Sequence, residues 1–272
     1  MNTSIRAKCV NHMNVVLENF DASVKHFKEV YGAEFVVDIP QREMHACLVE
    51  FGRVIFELFV PHEFLLNSRY GAHYVGIEYC AELEASRKAV AERRMRIVRD
   101  IGIAIHTHPA DAFGVSFEFT EHTFHERPWP ALGGPIKSLS YWRDEHPLGS
   151  AGLKAYTVAV YDVAAASEYF QSFLSGEVIY DEVRADIGAR AVGLQTCDAV
   201  MELLTPTGEG ALLRHLHTHN QGIFSTVVRV RDLGQARRYF AERGIETVAG
   251  SMPGRFMIPA KANLGVIIEF QE

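Results

Sequence analysis

Four short stretches of the sequence share one pattern, in which a single glutamate stands between bulky apolar residues of a strand-like run. These runs are 54–59, 115–119, 200–204 and 266–270, and an earlier apolar strand precedes each of them, at 10–16, 73–79, 155–160 and 225–230. The separations are nearly equal: 45 residues from His12 to Glu57, 44 from Tyr74 to Glu118, 47 from Ala155 to Glu202 and 44 from Ser225 to Glu269. Self-similarity at a fixed spacing indicates one supersecondary unit that occurs four times.

Between the two strands of a unit the apolar spacing changes to that of a helix. In the first unit, apolar residues recur at helical spacing from Val24 to Tyr31, with Asp21 where an N-cap is expected and Gly32 where a C-cap is expected. The same arrangement follows Asp162 and Asp232, whereas 83–96 is compatible with a helix but lacks the aspartate. Each unit therefore contains one predicted helix.

Three strand-like segments follow each helix, and in the first unit they cover 33–39, 44–51 and 53–60. Each unit thus has the order βαβββ. The sequence predicts an α+β fold of four βαβββ modules that form two domains, each a curved mixed sheet shaped as a cup with its helices outside. Such a cup provides a pocket without long loops.

Residues 121–151 fit no repeat and are rich in proline and glycine, which is typical of a linker. The predicted domains are therefore 1–120, with modules 1 and 2, and 152–272, with modules 3 and 4. The linker also contains both tryptophans, Trp129 and Trp142. Since flexible linkers seldom carry so much aromatic surface, we expect this one to pack on a domain and to supply a wall of the pocket.

The composition indicates an ordinary globular protein. The chain has 272 residues, 48% of them hydrophobic, and a net charge of −7, which disfavours nucleic acid or an anionic membrane as the main partner. The four cysteines are widely separated, and we interpret them as reduced thiols. No apolar run approaches ~18 residues. We therefore expect a cytoplasmic protein that acts on a small molecule, with a homodimer as an option.

Paired βαβββ units with a histidine near the first strand and a glutamate near the last resemble the vicinal oxygen chelate superfamily. This superfamily includes glyoxalase I, methylmalonyl-CoA epimerase, extradiol dioxygenases and the bleomycin and fosfomycin resistance proteins. The resemblance rests on 10–15 and on the four glutamate strands, and it covers both halves of the chain without the linker and the termini. It predicts the fold more specifically than the activity, because the superfamily supports many chemistries.

The resemblance implies up to four metal ligands in each cup, from the first and last strands of its two modules. In the first domain these positions hold His12, Glu57, Tyr74 and Glu118. In the second they hold Ala155, Glu202, Ser225 and Glu269, which make a poor transition-metal site. The resemblance therefore places the working site in the first domain and leaves the second without one.

His73 and Tyr74 compete for one corner of the predicted site. The superfamily's second histidine aligns with Tyr74, and the one-residue offset of His73 turns its side chain to the other face of the sheet unless a bulge re-aims it. Three alternatives follow. A metal is held by His12, His73, Glu118 and optionally Glu57; Tyr74 occupies the fourth corner; or the site binds no metal and keeps its acid–base groups.

Further histidines stand in segments that we interpret as solvated loops, with His108 and His122 as candidates for the rim of the pocket. These histidines are His106, His108, His122, His125, His215, His217 and His219.

The chemistry implied is that of one divalent ion (Mn, Fe, Co, Ni or Zn) that accepts two neighbouring oxygens of a substrate as a Lewis acid. Glu57 or the phenol of Tyr74 would then move the proton. This favours a glyoxalase-like isomerase, epimerase or lyase that acts next to a carbonyl of a small oxygenated or aromatic molecule. An Fe(II) extradiol-type dioxygenase is an alternative that requires His73 as a ligand. A metal-free protein that sequesters a hydrophobic compound is another.

Overall fold

A computed structural model describes residues 3–40, 44–61, 71–126 and 136–272. The first eight strands are β1 (Cys9–Val16), β2 (Glu34–Pro40), β3 (Met44–Phe51), β4 (Val54–Pro61), β5 (His73–Cys80), β6 (Ile97–Asp100), β7 (Ala104–Thr107) and β8 (Ser116–Thr120). They form one sheet in the order β2-β3-β4-β1-β5-β8-β7-β6, with α1 (Phe20–Tyr31) and α2 (Leu83–Glu92) after β1 and β5.

The remaining strands form a second sheet of the same design. They are β9 (Ser150–Ala159), β10 (Glu177–Arg184), β11 (Ala189–Gln195), β12 (Val200–Pro206), β13 (Gly222–Val230), β14 (Val248–Ala249), β15 (Phe256–Met257) and β16 (Ile268–Gln271). Their order is β10-β11-β12-β9-β13-β16-β15-β14. The helices are α3 (Val163–Leu174), α4 (Ala211–His219) and α5 (Leu233–Ala241).

The predicted fold class is confirmed. Each module pairs its first strand in parallel with its last, as β1 does with β4, and adds two antiparallel neighbours, so both curved sheets are mixed. The sequence did not predict α4, where His215, His217 and His219 lie in a helix rather than a loop. Among the described residues, no helix is both long and apolar enough to cross a membrane.

Helix ends follow the predicted chemistry with one correction. Asp162 and Asp232 accept hydrogen bonds from backbone N–H groups in the first turns of α3 and α5, and Gly32 ends α1 with a φ of 65°. The N-cap of α1 is Asn19, whose side chain accepts a hydrogen bond from Ala22, and Asp21 lies in the first turn instead. Asparagine and aspartate are near-equal caps, so the sequence alone did not distinguish two residues so close together.

The chain divides into two compact units, each containing one module from either sheet. One comprises residues 1–11, 75–124 and 155–224, and the other comprises 12–74, 125–154 and 225–272. In the first unit, Phe117 packs its ring against Phe170 and Phe173 of α3, at 5.8 and 5.5 Å between centroids. In the second, Tyr31 stacks on Phe51 at 4.5 Å. Aromatic burial of this kind contributes beyond apolar area alone.

Candidate metal centre

Three buried side chains of the first sheet come close together. His12 of β1, Glu78 of β5 and Glu118 of β8 each offer one ligand atom, and these atoms all lie within 4.8 Å of one another. The residues are 4%, 2% and 6% exposed, respectively. The structure therefore unites His12 and Glu118, which the sequence predicted as ligands, with a glutamate that it did not.

Strand register explains why the two carboxylates meet. β5 and β8 run parallel, and Glu78 and Glu118 are direct partners in that pairing. Partners on adjacent strands lie roughly 5 Å apart and point to the same face of the sheet. A carboxylate pair on this face is thus a direct product of the register.

His106 lies on the other side of Glu118. It is the partner of Glu118 in the antiparallel pairing of β7 with β8, and its Nε2 lies 3.0 Å from Oε1 of Glu118. The proline near His106 predicted a loop at this position, but His106 lies within β7. An imidazole in this position would orient the Glu118 carboxylate if that carboxylate held a metal ion.

Two asparagines of β1 complete the surroundings. Asn11 donates a hydrogen bond from Nδ2 to Oε1 of Glu78 at 2.7 Å, and Nδ1 of His12 lies 2.6 Å from Oδ1 of Asn14. With Nδ1 of His12 donating to that oxygen, Nε2 keeps the lone pair that a metal ion binds. Glu78 and His12 are thus each bonded to an asparagine of β1.

The donor set fits a divalent cation. Two carboxylates that are almost fully buried and close to each other repel, and a buried charge is costly unless an opposite charge or a proton compensates it. An imidazole with two carboxylates is a set of ligands that divalent metals accept. His12, Glu78 and Glu118 are therefore the residues that would hold the ion.

The other predicted site residues have different surroundings. Glu57 of β4 is the partner of Asn14 in the pairing of β1 with β4, so it faces the same side of the sheet, half-buried. His73 places Nδ1 2.9 Å from the carbonyl oxygen of Gly71. Tyr74 donates from its hydroxyl to the carbonyl oxygen of Ile267 at 2.9 Å, and burial raises its pKa. Their roles as ligands or acid–base groups stay predictions.

The sequence around Glu78 has a recognisable pattern, although the repeat spacing did not identify Glu78 as a ligand. It stands between Ile77 and Tyr79, which is the same pattern of one glutamate between bulky apolar residues that marks the four late strands. On this strand the repeat spacing predicted a ligand at residue 74 instead. Tyr74 and Glu78 are four residues apart, and side chains of a strand alternate between its two faces. Both therefore point to the same face in a regular strand.

Part of the expected linker packs closely on the chain. Trp142 is 0% exposed, as expected for a linker that packs on a domain, while Trp129 lies outside the described residues. Nearby in the sequence, His125 is half-buried, and burial together with the charges of Arg53 and His12 lowers its pKa to about 4. Burial also raises the pKa of Glu50 to about 8, against the opposing effect of the Arg53 charge.

The corresponding glutamates of the second sheet are bonded to donors of their own chain. Glu269 accepts from the hydroxyls of Ser225 and Ser251 at 2.6 and 2.8 Å, and from the backbone N–H of Ser251 at 2.6 Å. Glu202 accepts from the hydroxyl of Tyr180 at 2.6 Å and lies 3.6 Å from Nη2 of Arg184. Hydrogen bonds of this kind compensate a buried carboxylate without a metal.

Solved structures match this chain over nearly all or over part of its length. A variant of 4-hydroxymandelate synthase from Streptomyces coelicolor matches with a TM-score of 0.76 at 10% identity, over 97% of this chain and 92% of that chain. Methylmalonyl-CoA epimerase from Mycobacterium tuberculosis matches with a TM-score of 0.42 at 26% identity, over 44% of this chain and 87% of that one. The Streptomyces coelicolor epimerase in complex with 2-nitronate-propionyl-CoA matches with a TM-score of 0.40 at 21% identity, over 43% and 94%.

No protein-family model matches the sequence, and no curated protein matches it either. The full-length structural match, at 10% identity, is a likeness of fold. Together with the two mixed sheets of βαβββ modules, this match shows that the chain has the fold of that synthase.

Proposed function

We propose that the protein is a divalent-metal-dependent isomerase, epimerase or lyase that acts beside a carbonyl group of a small molecule. The observation that supports this most directly is the buried group of His12, Glu78 and Glu118, whose ligand atoms lie within 4.8 Å of one another. When bound there, a divalent ion supplies Lewis-acid stabilisation of negative charge that develops on substrate oxygen.

The composition of the ligand set favours this class over the dioxygenase. Non-haem Fe(II) oxygenases use two histidines and one carboxylate, whereas this group has one histidine and two carboxylates. His106 approaches Glu118 and is not among the three residues of the group. Oxygen-rich ligand sets suit Mn²⁺ and similar hard cations, so we propose Mn²⁺ ahead of Fe, Co, Ni and Zn.

We assign the proton transfer to Glu57. Its position opposite Asn14 puts it on the same face of the sheet as His12, which is two residues from Asn14 along β1. A half-buried carboxylate is suited to accept a proton from a carbon next to a carbonyl. Tyr74 is less suited, because its hydroxyl donates to Ile267 and burial raises its pKa, so it stays protonated.

Metal content and proton exchange test the proposal together. Protein purified without chelator and reconstituted with each of the five metals is analysed for bound metal. It is then incubated in D₂O with a panel of 2-oxo acids, hydroxyketones and thioesters, and deuterium incorporation is followed by NMR. The expected result is one metal per chain and metal-dependent exchange at carbon next to the carbonyl of one substrate class.

Other outcomes select the alternatives. Bound iron with oxygen uptake on catechols would favour the extradiol-type dioxygenase. Protein that takes up none of the five metals would exclude the metal-dependent enzyme and favour the binding protein. In each of these alternatives we expect the bound compound to be a small molecule. A homodimer and a cytoplasmic location stay predictions.

A further inference from the structure

Asn11 contacts both a candidate metal ligand and the beginning of the segment that follows β8. Its side-chain N–H₂ donates to Oε1 of Glu78 at 2.7 Å and to the carbonyl oxygen of His122 at 2.8 Å. Its side-chain oxygen accepts from the backbone N–H of Phe124 at 3.3 Å. One amide thus makes three hydrogen bonds, two of them to the backbone of 122–124.

The bridge is buried. Asn11 is 1% exposed and Glu78 is 2% exposed, and both belong to the same compact unit as His122 and Phe124. A buried amide with all its bonds made has one favoured orientation, because any rotation leaves polar groups unsatisfied. The position of the Glu78 carboxylate and the position of the backbone at 122–124 are therefore linked through Asn11.

The segment concerned leads directly to His125. Residues 124–126 form a 3₁₀ turn, in which His125 is half-buried. Whatever fixes the backbone of Phe124 also restricts where this imidazole can lie. The hydrogen bonds of Asn11 therefore affect the position of the His125 imidazole as well as that of the Glu78 carboxylate.

We infer that Asn11 is a positioning residue that couples cation binding at Glu78 to the order of residues 122–126. A Glu78 carboxylate held by a cation has fewer positions open to it, and the Asn11 amide bonded to it is fixed in turn. By reciprocity, an ordered segment strengthens cation binding to the same degree. This inference rests on the proposed metal site and adds to it a regulated segment.

Hydrogen exchange of the Phe124 amide measures the coupling without any substrate. In the wild type, saturating Mn²⁺ should slow this exchange. In Asn11→Ala the exchange should be at least tenfold faster without metal and should no longer respond to Mn²⁺, and Mn²⁺ affinity by EPR titration should fall about 10- to 100-fold. Asn263→Ala is the matched control, since Asn263 is a buried asparagine bonded to Tyr31 and Val266.

A second variant separates the bonds of Asn11. In Asn11→Asp the side chain can still accept from Phe124 but cannot donate to Glu78. We expect protection of Phe124 without metal to persist while the response to Mn²⁺ disappears. A full Mn²⁺ response in either Asn11 variant would overturn the coupling.

The metal-free protein distinguishes failure of the coupling from failure of the proposed function. If the wild type binds no Mn²⁺, the proposed function fails, and the coupling is decided by Glu78→Ala without metal. That change should accelerate exchange at Phe124, but by much less than Asn11→Ala does, because Asn11 loses its bond to Glu78 and keeps its bonds to His122 and Phe124. Unchanged exchange in Glu78→Ala would overturn the coupling. If Mn²⁺ binds but Phe124 exchange does not respond, the coupling is wrong and the metal site stands.

Discussion

Nε2 of His106 lies 3.0 Å from Oε1 of Glu118, and the two residues are direct partners on the antiparallel strands β7 and β8. A strand pairing thus presents an imidazole to the carboxylate that we propose as a metal ligand. Residues that orient metal ligands in this way typically contribute about 10- to 100-fold to metal affinity.

Replacement of His106 should therefore weaken metal binding without removing it. We expect His106→Ala to raise the dissociation constant for Mn²⁺ about 10- to 100-fold, measured by isothermal titration calorimetry. His45→Ala is the control, because the ring of His45 stacks on Phe20 and its Nε2 lies 2.6 Å from Asp38. Equal affinity in His106→Ala and the wild type would show that His106 does not orient Glu118.

Glu78 and Tyr74 differ in what they should contribute to the metal site. Glu78→Gln removes one of two charged ligands, so we expect metal content to fall below one tenth of the wild-type value. Tyr74→Phe removes a hydroxyl that donates to Ile267, and we expect full metal content with a loss of about 1 kcal/mol of stability. Elemental analysis of the two variants, purified in parallel, measures their metal content. Loss of metal in Tyr74→Phe with full metal content in Glu78→Gln would identify Tyr74 as the ligand.

Glu57 should separate metal binding from catalysis. Glu57→Gln keeps the size and polarity of the side chain but cannot accept a proton, so we expect a loss of about 100-fold or more in the rate of deuterium exchange into substrate. Metal content should stay at the wild-type value. A variant that loses metal and activity together would identify Glu57 as a ligand instead.

Glu50 should make stability depend on pH. Burial raises its pKa from 4.5 to about 8, so between these values the folded protein holds a proton that the unfolded chain releases. The free energy of unfolding therefore falls as the pH rises through this range and levels off above it.

Glu50→Gln should remove this loss, because glutamine does not ionise. We expect the variant to be more stable than the wild type by about 3–5 kcal/mol at pH 9 and nearly equal at pH 4.5, by urea denaturation. Glu168→Gln serves as the control, since Glu168 is an exposed glutamate of α3. A constant difference between Glu50→Gln and wild type at all pH values would contradict the assignment.

Gly114 and Gly102 form a matched pair for a test of packing. Both have positive φ, 80° and 82°, but a Cβ at Gly114 would lie 1.8 Å from the carbonyl oxygen of Gln221, whereas a Cβ at Gly102 would meet nothing within 4 Å. Gly102→Ala should cost about 1–2 kcal/mol of backbone strain alone. Gly114→Ala should cost at least about 2 kcal/mol more, because a backbone atom must move. Thermal unfolding of both variants measures the difference, and equal losses would show that the close approach is absent.

The order of strands and helices in each module could be predicted because it follows from the local spacing of apolar residues. Alternation marks strands, helical spacing marks α1, α3 and α5, and both signals act over a few residues. The sequence did not predict α4, because its nine residues include three histidines and follow a glycine-rich turn. Short helices of this kind are stabilised by packing more than by propensity.

The candidate site was predicted in part, and the reason lies in strand register. His12 and Glu118 could be proposed as ligands from the sequence because a repeat fixes their places along the chain. Glu78 and His106 reach the site through pairings with Glu118 on both sides of β8, between residues 12 and 40 positions apart. No local pattern specifies which residues of two strands become partners.

The sequence by itself determined the four modules, their strands and most of their helices, since each follows from the alternation of apolar and polar residues over short distances. Only the tertiary structure decided which buried carboxylates share a site, which donors hold Glu202 and Glu269, and that α3 packs on β8. Those outcomes depend on side chains brought together from distant parts of the chain, where burial makes compensation of each charge obligatory.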